Sequence, residues 1–143
     1  MLESFAAQTD KRFRRYVADD GSPESLEPIV APFKSRLDLV YRRFPENLGQ
    51  SSLIKHWHRA IALTHEPWIW LFSDDDLASP DCIEAFWNDP DRHSHPLHLL
   101  RLNAQFIDNE GERVPYSIRS SYPRAQSWHE HIFALTRLTT NSW

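Results

Sequence analysis

The run Trp68-Ile69-Trp70-Leu71-Phe72-Ser73-Asp74-Asp75-Asp76 (WIWLFSDDD, residues 68–76) joins five apolar residues to a serine and three adjacent carboxylates. An apolar run without alternation is the pattern of a strand covered on both faces, as in a parallel sheet. Three neighbouring carboxylates repel one another, and each loses hydration where a strand leaves a core, so a cation or hydrogen-bond donors must compensate. A hard divalent ion such as Mg²⁺ or Mn²⁺ takes one or two such oxygens and completes its shell with water and phosphate. For the triplet alone a solvated acidic turn before a helix is the better explanation. The uninterrupted apolar run before it, and a second acidic cluster after another strand, bring the two readings level.

Working outward, a second acidic cluster, Asp19-Asp20-Gly21-Ser22, follows a predicted strand over Arg12–Ala18, and by itself it suits any strand-to-helix turn. The spacing predicts a helix over Leu2–Gln8, and another capped by Ser22 with Pro23 at its first position, shortened by Pro28 and Pro32. A strand is expected over Leu37–Tyr41. After the loop Pro45–Gly49, where Asn47 and Gly49 suit positive φ, a helix starts near Ser51 or Ser52. Its residues Leu53, Ile54, Trp57, Ala60, Ile61 and Thr64 share one face, with Lys55, His56, His58 and Arg59 mostly off it. Ser79 is the expected cap of a helix carrying Cys82, Ile83, Phe86 and Trp87. Strands are expected over Leu97–Ile107 and Arg113–Ile118 around the turn Asp108–Gly111, and a last amphipathic helix between Gln126 and Leu138. The alternation argues an α/β domain with a mostly parallel sheet. Both acidic clusters then fall at strand ends, where such sheets gather ligands.

Composition narrows the function classes. A chain of 143 residues fits one domain, spanning 1–143, and 41% hydrophobic with 25% charged residues marks it as globular. The formal net charge of -4 supplies no field to recruit nucleic acid. Cys82 stands alone, which excludes an internal disulfide, and three glycines exclude a Gly-rich phosphate loop. His93, His95 and His98 form an H-x-H-x-x-H string, but without a second Cys or a zinc-binding helix motif a surface loop is expected there. No stretch approaches the roughly 18 apolar residues of a membrane span. A cytoplasmic protein is expected, with peripheral attachment at an inner membrane as its alternative.

Two segments resemble a known family. Leu2–Ser22 (LESFAAQTDKRFRRYVADDGS) is similar to the N-terminal part of family 2 glycosyltransferases, where a helix ending in Gln-Thr leads into a strand closed by Asp-Asp-Gly-Ser. Arg43–Trp87 resembles a bacterial branch with an Asn-Leu-Gly loop, a Trp-containing helix and a Trp-Ile-Trp-Leu-Phe-Ser-Asp-Asp-Asp strand end. The resemblance implies a GT-A-like three-layer fold, a UDP- or GDP-sugar donor, a saccharide or lipid-linked acceptor, and Mn²⁺ or Mg²⁺. It assigns Asp20 to the nucleotide base, with Asp19, Asn47, Gly49 and Asp74 also on the nucleotide-sugar side, Asp74 towards the ribose. Asp75, matching the second carboxylate of the D-x-D motif, falls to the metal with Asp76, while Ser73 stands where many members carry the first acid.

Two departures from the family pattern set further expectations. The family's first apolar strand has no counterpart before Leu2, and no late carboxylate matches the catalytic base; Glu130, the one late acid in a predicted helix, is not assigned to it. The fold is therefore expected to be incomplete at both ends. Self-association through uncovered apolar surface is expected as well. Two functions follow: a metal-dependent glycosyltransferase or a fragment of one, or a non-catalytic α/β nucleotide-binding or interaction module derived from it.

Overall fold

The computed structural model describes residues 1–89, 99–102, 107, 108, 111 and 133–137. Contacts divide the chain into two compact units, Met1–Glu66 with Ser73–Ser94, and Pro67–Phe72 with His95–Trp143.

In the first unit, helix α1 (Leu2–Ala6) is followed by strand β1 (Arg15–Asp19), helix α2 (Glu27–Val30) with a 3-10 turn at Ala31–Phe33, strand β2 (Leu39–Arg43), helix α3 (Leu53–Ile61) and helix α4 (Cys82–Asn88). Strands β1 and β2 pair in parallel, with Arg15 opposite Leu39 and Asp19 opposite Arg43. The parallel arrangement expected of an α/β chain is thus present at its N-terminal end. β1 starts three residues later than the sequence suggests. The Asp10 carboxylate accepts from the Arg12 backbone N–H at 2.8 Å and folds residues 10–13 into a turn. Phe5, Val30, Leu37, Ala78, Ile83 and Phe86 are its buried apolar residues.

Two expected helix caps are not where the sequence put them. The Ser22 backbone N–H donates to Asp19 Oδ1 at 2.8 Å, which keeps Ser22 in the turn, and α2 waits until Glu27. Ser79 does not cap α4; Asp81 occupies that position without a side-chain hydrogen bond. The Ser79 carbonyl instead accepts from the Gln8 amide at 2.6 Å. Ser52 does behave as read: its extended backbone and its hydroxyl, which accepts from the Lys55 N–H at 3.3 Å, open α3.

The second unit contains strands β3 (Trp68–Trp70), β4 (Leu99–Leu102) and β5 (Phe133–Arg137), in the order β3-β5-β4 with both pairings antiparallel. Two expectations change here. The Trp-Ile-Trp run is a strand, with Ile69 buried, but among the described residues its partner β5 is antiparallel. The helix expected between Gln126 and Leu138 is replaced at Phe133–Arg137 by β5, whose backbone groups pair on both sides. A five-residue stretch is too short for periodicity to separate helix from strand, so sheet pairing decides. The turn Asp108–Gly111 is present, closed by the Gly111 N–H on the Asp108 carbonyl at 3.0 Å with Gly111 at φ 83. The strand expected over Arg113–Ile118, the histidines at 93, 95 and 98, and Glu130 lie outside the described residues.

Candidate functional site

The end of β1 is built by two acids with opposite surroundings. Asp19 is 2% exposed, and its carboxylate accepts from the Tyr41 hydroxyl at 2.6 Å and the Ser22 N–H at 2.8 Å, with Arg43 Nε at 3.7 Å. Burial opposes ionisation of Asp19, but those donors outweigh it and hold the carboxyl below its ordinary value. Asp19 thereby ties the strand end to β2 and shapes the turn that follows. Gly21, at φ 72, is required twice over: by that turn, and because a Cβ there would approach the backbone of Phe44, Glu46 and Asn47 at 3.2–3.3 Å.

Asp20 gathers the neighbouring loop and helix. Its Oδ1 accepts from the Leu48 N–H at 3.0 Å and from Arg59 Nη2, while Oδ2 accepts from the Gly49 N–H at 2.6 Å. His56 Nδ1 lies 3.0 Å from Oδ1. The same nitrogen lies 3.4 Å from Arg59 Nε, but it cannot donate and accept at once; the shorter contact to an anion favours a proton on Nδ1. Partial burial raises the Asp20 pKa, and the Gly49 and Leu48 N–H donors, with His56 and Arg59, bring it below the ordinary value.

Of the loop residues named from the sequence, Gly49 meets Asp20 directly, though for a different reason than expected, while Asn47 shapes the loop beside it. Gly49 does not adopt positive φ; it is needed because a Cβ would lie 2.5 Å from Asp20 Oδ2. Asn47 turns its side-chain oxygen to the Gln50 N–H at 3.0 Å, closing the turn that leads to α3.

Helix α3 reverses the burial expected of it. Leu53, Ile54 and Trp57 are 51%, 63% and 42% exposed, whereas His56 and Arg59, one turn apart, face Asp20 and are largely covered. Arg59 also donates to the Glu46 carbonyl at 2.7 Å and stacks 4.0 Å above the Phe44 ring. Sequence reasoning missed these two residues. Their i, i+3 spacing on the polar face of α3 is the available signal.

The acidic triplet belongs to the same unit as Asp20. Asp74 and Asp75 are exposed and Asp76 is half-buried. The Ser73 hydroxyl donates to Asp75 Oδ1 and, together with backbone hydrogen bonding, holds the Asp75 carboxyl below its ordinary value. Among the described residues, no three His, Cys, Asp or Glu side chains are grouped as a metal cluster. The segment after the triplet is anchored to α1: the Ala78 N–H donates to the Ser4 hydroxyl at 3.1 Å, and the buried Gln8 amide accepts from the Ile83 N–H at 3.2 Å and the Cys82 thiol at 3.1 Å.

A carboxylate at the end of one parallel strand, holding the loop and helix that follow its neighbour β2, is an arrangement of ligand-binding α/β domains. The family comparison makes that class specific. The model of the family described as Glycosyl transferase family 2 matches residues 1–134, and the chain belongs to that family. No curated protein and no solved structure matches it. Membership bears out the α/β GT-A-like fold class and gives glycosyl transfer as the general activity. No helix among the described residues is long and apolar enough to cross a membrane.

Proposed function

We propose that this protein binds a UDP- or GDP-sugar through Asp20, Asn47, Gly49 and Asp74, and serves transfer of the sugar to a saccharide or lipid-linked acceptor. The observation that carries the reading is the Asp20 carboxylate, kept ionised and built into a loop by two backbone N–H groups and Arg59. A strand-end acid fixed in this way offers a preformed edge for a nucleoside. Asp19, with its bonds turned inward, supports that edge from below.

A divalent cation fits the chemistry of the triplet. Asp75 and Asp76 would hold Mn²⁺ or Mg²⁺ through one or two hard oxygens, the rest of the shell coming from water and donor phosphates. When bound, it would offset the diphosphate charge and stabilise the departing nucleoside diphosphate. The chain's own part is to present ionised acid at Asp75 and a fixed nucleoside edge at Asp20.

Isothermal titration of the full chain with UDP and GDP, with and without Mn²⁺, tests the proposal. Metal-dependent binding that is lost in Asp75→Ala is expected; binding indifferent to both the metal and that substitution contradicts it.

A further inference from the structure

Arg59 sits where a helix, a loop and an acid meet. Its guanidinium bonds Asp20 Oδ1 and the Glu46 carbonyl together, from a position stacked on Phe44. The Phe44 ring in turn meets the His56 ring edge-on with centroids 6.2 Å apart, and His56 reaches the same Oδ1. The side chains of His56, Arg59 and Asp20 are only 14%, 19% and 20% exposed. One guanidinium nitrogen, Nη2, bonds both acceptors while the planar group lies on the Phe44 face, and that stacking is what a lysine cannot reproduce in full.

Counting donors on each oxygen sharpens this. Among the described residues, Oδ1 accepts two hydrogen bonds, from the Leu48 N–H and Arg59 Nη2, with His56 Nδ1 a further contact at 3.0 Å. Oδ2 takes one, the Gly49 N–H. A carboxylate oxygen has two lone pairs, so Oδ1 is full and Oδ2 keeps one acceptor position. Gly49 keeps its side of Oδ2 free of side-chain atoms, since any Cβ there would collide with it.

We infer that Arg59, assisted by His56, is a positioning residue that locks Asp20 and the 46–49 loop into one unit and leaves Asp20 a single acceptor position, at Oδ2. The inference deepens the nucleotide site proposed above and rests on that reading for its consequence on binding. Its structural half does not. Without Arg59 the Glu46 carbonyl loses its donor, Oδ1 loses its strongest one, and the Leu48 and Gly49 N–H groups bond to a carboxylate free to turn.

Amide hydrogen exchange on the ligand-free full chain tests the structural half. In Arg59→Ala the Leu48 and Gly49 amides should exchange about tenfold faster or more, the scale of one lost charge-assisted hydrogen bond. Arg59→Lys should fall between, and Lys55→Ala on the exposed side of α3 should match wild type. Unchanged exchange at Leu48 and Gly49, or acceleration spread equally over β1 and β2, overturns the inference. The binding half is read by titration with UDP and GDP: Arg59→Ala should weaken the nucleotide that wild type binds about tenfold, yet add nothing to Asp20→Asn. Additive losses overturn it. Local exchange as expected with a wild type that binds no nucleotide leaves the positioning role standing and removes the proposed function instead.

Discussion

Asp20 Oδ2 and the Gly49 backbone N–H meet at 2.6 Å, and a Cβ on Gly49 would stand 2.5 Å from the same oxygen. The glycine therefore serves close approach, with the backbone in a conformation open to any residue. Gly49→Ala should push the carboxylate off the loop, costing about 1–3 kcal/mol as overpacking does, and should weaken nucleotide binding in parallel. Urea unfolding and titration on the same sample check both effects.

The Gln8 amide is buried, 3% exposed, and uses both ends: it donates to the Ser4 and Ser79 carbonyls and accepts from the Ile83 N–H and the Cys82 thiol. Gln8→Ala strands several of these groups and should cost about 2–4 kcal/mol. Burial, with Asp81 nearby, pushes the Cys82 thiol from 9.0 up to about 11. At pH 8 that change cuts the reactive thiolate about a hundredfold, so a thiol reagent should label wild type slowly.

The exposed row on α3 gives a prediction opposite to the one its periodicity suggests. Leu53→Gln and Ile54→Gln should change stability by no more than about 0.5 kcal/mol, as surface substitutions do. A loss of several kcal/mol in thermal or urea unfolding would show that these side chains are covered.

Much of this architecture is legible in the sequence, and what is not has physical causes. The parallel pair β1–β2, the cap at Ser52, the strand at Trp68–Trp70 and the turn at Asp108–Gly111 follow from apolar runs and turn chemistry. The meeting of Asp20 with the 47–49 loop follows from the two motifs being read together. Hydrophobic periodicity identified the faces of α3 but could not say which turns inward. The half-buried Asp20's need for Arg59 and His56 decided that, and such a need is tertiary. The displaced caps have the same origin: Ser22 is claimed by Asp19, and the Ser79 carbonyl by Gln8. Phe133–Arg137 became a strand because partners were available on both sides, which no local pattern encodes.

Stability should fall on the acid side. The folded-state pKa values of Asp19 and Asp20 lie below the ordinary 3.8, so their stabilising effect is present at neutral pH. It declines as the pH drops past about 4 and disappears below the folded values. Asp20→Asn cannot lose what it never had, so its urea midpoint should change less between pH 7 and pH 3 than that of wild type. Equal slopes for the two proteins would contradict the role given to that carboxylate.

The central claim is that the Asp20 rim and the Asp74–Asp76 segment serve one nucleotide and one cation. Paramagnetic broadening by Mn²⁺ in the presence of a nucleoside diphosphate measures this directly, amide by amide. The account predicts that the ion broadens the signals of residues 74–76 strongly and, only when nucleotide is present, shifts or broadens Asp20, Leu48 and Gly49 as well. Broadening confined to the triplet, with the Asp20 loop unchanged by nucleotide, would contradict it.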